Sequence, residues 1–220
     1  MRRIRRFTQA PAGVAGVALP LTLLLPLAAG TDPPEPGEVP GALVVREARI
    51  SHGPGGTQPG TVRLEVAERQ TGDAADVIRL QALLTGPLAG DAAQDLYAFN
   101  AVLRFSSQRL AYVDGSVRKG DLLGRDGRDS LITAGVTPGA ETRLTVGASR
   151  LGRVAGVVAP EGRAVLFNLD LRVLMPGDTP LSWEDSSFID SRLRRVDAAR
   201  FVGGTLQVAT EPAPAMGKEN

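Results

Sequence analysis

Between Thr61 and about Ala209 apolar residues return at every second position, in short runs separated by Gly, Pro, Asn, Asp and Ser. A period of two places alternate side chains on opposite sides of an extended chain, so this spacing predicts half-buried β-strands and not helices, whose apolar stripe repeats every 3.6 residues. In TVRLEVAER, Val62, Leu64 and Val66 share a face against Arg63 and Glu65. Ile78, Leu80, Ala82 and Leu84 do the same in VIRLQALL. Tyr97, Phe99, Ala101, Leu103 and Phe105 point one way in YAFNAVLRF, while Ala98, Asn100, Val102 and Arg104 point the other. In RAVLFNLDLRV the inward set is Val165, Phe167, Leu169, Leu171 and Val173, with Asn168, Asp170 and Arg172 outward. LAYVDGSV, SLITAGV, RLTVGAS, TPLSW and GTLQVA complete eight or nine strands.

That many short alternating strands predicts an all-β fold, an antiparallel sandwich of two sheets with Greek-key or jelly-roll connections. The 26 Gly and 16 Pro, many between the apolar runs, supply the turns. Hydrophobic residues reach 43% but aromatics only 4%, so Leu, Val and Ala must build most of the core. One segment reads two ways. Residues 184–201, EDSSFIDSRLRRVDAARF, suit either a short helix carrying Phe188, Leu193 and Val196 or a loop with a short strand.

The first 29 residues read as an export signal. Arg2, Arg3, Arg5 and Arg6 form a positive start, Val14 to Ala29 an apolar stretch, and Ala28, Ala29 and Gly30 a small-residue cleavage region. Pro20 and Pro26 interrupt the apolar run and disfavour a spanning helix. The expected location is secreted, periplasmic or cell-surface, with no membrane span after cleavage. Removing those four arginines turns the formal net charge of +1 negative, which leaves no electrostatic footprint for nucleic acid. Residues 30–60 form a Pro/Gly-rich linker in which the patch VVREARI has the pattern of one edge strand. Residues 61–210 form the sandwich domain, and 211–220 a polar tail.

Chemistry-bearing motifs are scarce. With no Cys there is no disulfide, thiolate metal site or Cys nucleophile. The only His, His52, lies in the Gly/Pro stretch SHGPGG and reads as a loop residue. No GxSxG elbow, HExxH or P-loop occurs. Glu184 and Asp185 are adjacent, so a strand would send them to opposite faces, unlike the facing carboxylates of a glycosidase. Asp121, Asp126 and Asp129 fall close together in GDLLGRDGRDS, but their spacing is not that of an EF-hand, and Arg125 and Arg128 offset their charge. The expectation is a protein that is not an enzyme and takes no cofactor or metal.

From Thr61 to Ala209 the ordered series of strands resembles a cohesin domain, the bacterial module that binds dockerins. TVRLEVAER and DVIRLQALLTG are similar to its opening strands. YAFNAVLRFSSQRLAYVDGSVRKGDLL is similar to the strand and turn that lead to a Gly-Asp. RAVLFNLDLRVL is similar to its long Phe-bearing strand, and TPLSWEDSSFID and FVGGTLQVA to its closing strands. Two departures stand out: Phe105, Ser106 and Ser107 replace a frequent Tyr-Asp-Pro, and AGDAAQD lengthens the loop before Tyr97.

The resemblance implies a nine-stranded jelly roll and a protein partner of the dockerin type, docked on the outer face of one sheet. It places Asn100 and Arg104 on that face as partner contacts, Asn100 offering a donor and an acceptor and Arg104 a planar donor fork. Cohesin sandwiches also resemble certain cellulose-binding modules, so polysaccharide or glycan is the alternative partner. Trp183, expected at an exposed strand end, is its candidate contact.

Overall fold

Extended segments with one apolar side gain stability only by covering that side, and the chain does so with two stacked sheets. The computed structural model describes residues 43–55, 58–69, 76–88, 95–197 and 199–212, all of them within the unit spanning residues 40–220. Residues 1–29, read from the sequence as an export signal, the start of the segment read as a linker and tail residues 213–220 lie outside the described residues.

The strands in chain order are β1 (Leu43–Ser51), β2 (Thr61–Arg69), β3 (Val77–Thr85), β4 (Ala98–Ser106), β5 (Leu110–Tyr112), β6 (Arg118–Lys119) and β7 (Ser130–Thr137). They continue as β8 (Glu141–Arg150), β9 (Arg163–Val173), β10 (Gly177–Ile189), β11 (Arg195–Val196), β12 (Arg200–Phe201) and β13 (Gly204–Pro212). Nine of these have eight or more residues. One sheet runs β1-β13-β10-β4-β8-β7, with β11 added to β10. The other runs β12-β2-β3-β9-β5, with β6 added to β9. Only the short β12–β2 pair is parallel among the described pairs. The chain crosses repeatedly from one sheet to the other, making an all-β jelly-roll sandwich. Among the described residues no helix is long and apolar enough to cross a membrane.

The core lies between the sheets. Ile78, Leu80, Ala82 and Leu84 of β3 are fully buried against Phe99, Ala101, Leu103 and Phe105 of β4, in the phase expected from their alternation. Phe99 lies 6.0 Å from Phe167 and 6.2 Å from Phe188, centroid to centroid, linking β4, β9 and β10 across the sandwich. Each such ring or Leu contributes about 1.5–3 kcal/mol by leaving water.

Two expectations are corrected. First, Val165 is not among the inward residues of β9. The ladder slips between Ala82 and Leu83, so Ala82 pairs with Phe167 but Leu83 pairs with Val165, leaving Leu166 as an extra residue. This bulge reverses the alternation on its N-terminal side: Ala164 and Leu166 are buried while Val165 is half-buried. Gly120 sits against the same irregularity. A Cβ there would approach the Val165 carbonyl oxygen to 2.0 Å, so the position tolerates only glycine, and the neighbouring Asp121 accepts the Val165 N–H at 2.7 Å.

The VVREARI patch forms the edge strand its pattern suggested. β1 pairs antiparallel with β13 from Leu43↔Pro212 to Ser51↔Thr205 and forms one edge of the seven-stranded sheet. Second, Tyr97 does not extend the inward row of β4; it is half-buried, and its hydroxyl donates to the Gly152 carbonyl at 2.9 Å. Residues 184–201 resolve into the end of β10, a turn, β11 and β12, with no helix.

Candidate functional site

Directly opposed residues of an antiparallel ladder share a face, so the strand register defines the outer surface of β10-β4-β8-β7. At one end Ile189, Ala98, Ser149 and Leu131 stand in a row. The next row is Ser187, Asn100, Gly147 and Thr133. Val102, Thr145 and Gly135 follow, with Glu184 beside Val102. The last full row holds Ser182, Arg104, Arg143 and Thr137, and Glu141 lies beyond it, opposite Ser106.

The face is polarised along its strands. At the Arg104 end four charges interlock. Arg104 pairs with Glu141 on β8 and approaches Glu184 to 3.9 Å, while Arg143 Nε lies 2.9 Å from the same Glu184 carboxylate. The hydrogen bond to Glu141, reinforced by its charge, raises the Arg104 pKa and holds the guanidinium cationic. Toward Ile189 the first two rows carry no charge. Leu131, 53% exposed, and the glycine at 147 border a shallow depression of ≈ 240 Å³ there.

A bulge in β10 fixes the centre of this face. The register slips between Glu184 and Ser187, and Asp185 takes φ +43°. The Ser186 hydroxyl accepts the Val102 N–H at 3.0 Å and donates to the Glu184 carbonyl at 3.1 Å, filling the gap in the ladder. Asn100 Nδ2 donates to the Asp185 carbonyl at 3.2 Å, so its side chain is oriented and retains its own carbonyl oxygen as an acceptor.

Asn100 and Arg104 are therefore on one face, two rows apart. Trp183 is not. It opposes the fully buried Leu103, and its ring meets Phe167 edge-on at 6.5 Å and Phe201 at 5.5 Å. Its Nε1–H donates to the Val202 carbonyl at 3.1 Å. The expectation of an exposed ring is corrected: Trp183 points between the sheets because β10 continues past it to Ile189, so the strand does not end there.

The other candidate groups are occupied by structure. Arg150, nearly buried at the end of β8, donates Nη1 to the Leu123 carbonyl at 2.8 Å and to Asp126 Oδ1 at 3.0 Å. Asp121 pairs with Arg125 at 3.2 Å. Among the described residues no cluster of three or more His, Asp or Glu converges to hold a metal. His52 Nδ1 lies 3.3 Å from the Gly203 carbonyl.

Sequence reasoning missed Glu141, Arg143, Glu184 and Leu131 as parts of this surface. Alternation in β8 already put Arg143 opposite in phase to Leu144, but its proximity to Glu184 depends on β10 pairing with β4, which no local pattern reveals.

The arrangement is an antiparallel sandwich with a partly uncharged sheet face, and comparison with solved structures gives the class of its fold. The second type II cohesin module from the cellulosomal adaptor ScaA scaffoldin of Acetivibrio cellulolyticus superposes with a TM-score of 0.50 at 11% identity, over 69% of this chain and 98% of that module. The fold is that of a cohesin module. The sixth cohesin of scaffoldin B from the same organism, solved in complex with a Cel5 dockerin mutant, gives 0.47 at 16% identity over 67% and 97% of the two chains. A non-cellulosomal cohesin from the archaeon Archaeoglobus fulgidus gives 0.44 at 18% identity over 67% and 89%. No protein-family model and no curated protein matches the chain.

Proposed function

We propose that this chain is an exported, non-catalytic interaction module whose outer β10-β4-β8-β7 face docks a protein partner of the dockerin type. The observation that carries this reading is the polarised face itself. Its uncharged rows from Ile189 to Thr133 can be covered with little loss of hydration, and the Arg104–Glu141–Arg143–Glu184 cluster borders them with directional polar groups. An apolar or neutral centre with a charged rim is the usual anatomy of a protein interface. None of the residues in these rows is aromatic, which disfavours a glycan platform. Cohesin modules of similar fold supply the dockerin class as the partner to test. The arginine-rich start and apolar stretch of residues 1–29 support export before docking.

Calorimetric titration of the purified protein with a panel of dockerins tests the reading. At least one is expected to bind at about micromolar Kd or tighter, and Asn100→Arg combined with Arg104→Glu is expected to weaken it about tenfold or more without unfolding the protein. A panel with no binder, beside a positive glycan array, would replace the dockerin reading with the polysaccharide one.

A further inference from the structure

Leu193 occupies a position that its own fold gives no reason to fill with leucine. It lies in the turn between β10 and β11 with φ +61°, in the left-handed region that crowds an ordinary Cβ. The other positive-φ positions among the described residues are six glycines and Asp185, residue types that accept this conformation at low cost. Leu193 is also 78% exposed, the highest value among the large apolar side chains that stand out from the described surface. Backbone strain and apolar exposure therefore coincide at one residue, and neither is offset by packing inside the protein.

The strained conformation is firmly imposed. Asp190, buried at the base of the turn, accepts the backbone N–H of Arg192 at 2.9 Å and of Arg194 at 2.8 Å through Oδ1. Its Oδ2 accepts Arg194 Nε at 2.7 Å. The Leu193 N–H donates to the Asp190 carbonyl and the Asp190 N–H to the Arg194 carbonyl, each at 2.9 Å. The leucine is thus held out on a rigid base, so little ordering remains to oppose binding.

Its surroundings specify a ligand chemistry. Beside Leu193 is an open depression of ≈ 460 Å³ walled by Tyr97, Arg153, Val154, Ala155 and Ser191. Leu151, 51% exposed, adjoins this wall in sequence. The nearby carboxylates are committed: Asp190 to the turn, Asp197 to Arg195, and Asp95 to the Ser191 hydroxyl and the Gly156 N–H, each at 2.6 Å. Arg153 and Arg192 are exposed and have no side-chain partner among the described residues. Apolar surface with Arg153 in its wall, and with Arg192 between Ser191 and Leu193 in the chain, complements a segment that is apolar and acidic.

We propose that the Leu193 turn and its adjoining depression form a second docking point, distinct from the outer sheet face, for a protein segment carrying a large apolar side chain flanked by Asp or Glu. The apolar side chain enters the depression against Leu193 and Tyr97, and the carboxylates meet Arg153 and Arg192. This site stands whether or not a dockerin binds the sheet face.

The test uses the full chain and its Leu193→Asn variant, since Asn accepts positive φ without an apolar side chain. The melting temperature of the variant is expected to equal or exceed that of the parent; a drop of several degrees would show that Leu193 packs within the fold and would overturn the proposal. Both proteins are then probed with a displayed library of random 12-residue peptides. Enriched peptides are expected to carry Leu, Phe or Trp beside Asp or Glu, and to bind about tenfold more weakly to Leu193→Asn and to an Arg153→Ala/Arg192→Ala variant. Equal binding to all three proteins, or enrichment without acidic residues, overturns it. So does Leu193-dependent binding to phosphatidylglycerol vesicles with no peptide enriched, which would make the turn a membrane contact.

Discussion

On the six-stranded sheet two outward arginines lie down. Arg63 of β2 is only 5% exposed and donates Nε to Glu65 at 2.9 Å, and Arg79 of β3 grips Asp170 of β9 with bonds of 2.8 and 3.0 Å. Their stems cover the sheet and their charges are neutralised within it. On the β10-β4-β8-β7 part of the seven-stranded sheet the outward Arg104 and Arg143 gather at one end and share two glutamates, and the first two rows at the other end carry no charge. The same residue type serves as a finished cover on one sheet and as the rim of an unfinished surface on the other. What separates them is how far the guanidinium stems are withdrawn from water: Arg63 is nearly covered, whereas the Arg143 side chain is 47% exposed.

Trp183 provides the strongest way to break this contrast, because it would belong to the open face if the glycan reading held. As a ring wedged between Phe167 and Phe201, its replacement by Ala is expected to cost about 3 kcal/mol in a urea titration. A cost below about 1 kcal/mol would mark it as a surface platform. Next in size is Asp170→Ala, which leaves Arg79 without its carboxylate on the covered sheet. A loss of about 2 kcal/mol is expected, because the pair is largely but not wholly removed from water. The corresponding change on the open face, Arg143→Ala, is expected to alter stability by no more than about 0.5 kcal/mol while weakening partner binding. Equal losses for Asp170→Ala and Arg143→Ala would erase the distinction between the faces.

The smallest effect concerns acid, and it belongs to the loops and turns more than to either face. The Arg150 guanidinium lowers the pKa of Asp126, and the backbone N–H and guanidinium of Arg194 lower that of Asp190. At Asp95 partial burial acts in the opposite sense, but hydrogen bonds from Ser191 and Gly156 outweigh it and the pKa falls. A carboxyl with a depressed folded-state pKa contributes stability above its ordinary value of 3.8 and loses it as pH falls through the folded value. The melting temperature should therefore hold steady from about pH 7 to 5 and decline below about pH 4. Asp126→Asn should melt lower at neutral pH and show a shallower acid decline. An unchanged acid slope would remove Asp126 from the tether on Arg150.

Much of the fold was legible because strand phase is local. The alternation in β3 and β4 identified eight fully or nearly buried residues, Ile78 to Leu84 and Phe99 to Phe105, without knowledge of their partners. It failed at Val165, where an extra residue in β9 matters only relative to β3. It also failed at Trp183, where the length and bulge of β10 are set by its pairing with β4 and β13. The VVREARI patch carried a strand pattern, but only its ladder with β13 makes it part of the sandwich. Of the candidate site, the outward phase of Asn100 and Arg104 was visible. The charge cluster that borders them was not, because Glu141, Arg143 and Glu184 reach Arg104 from two other strands.

The sequence by itself determined an all-β chain, the inward residues of most strands and the lack of recognisable catalytic motifs, since side-chain direction repeats every two residues whatever the partner. Tertiary structure alone decided which strands are neighbours, where the ladders slip, which charges meet across strands and which leucine is held out in solvent. Those depend on register between segments tens of residues apart, and a shift of one residue there moves a side chain from one face to the other.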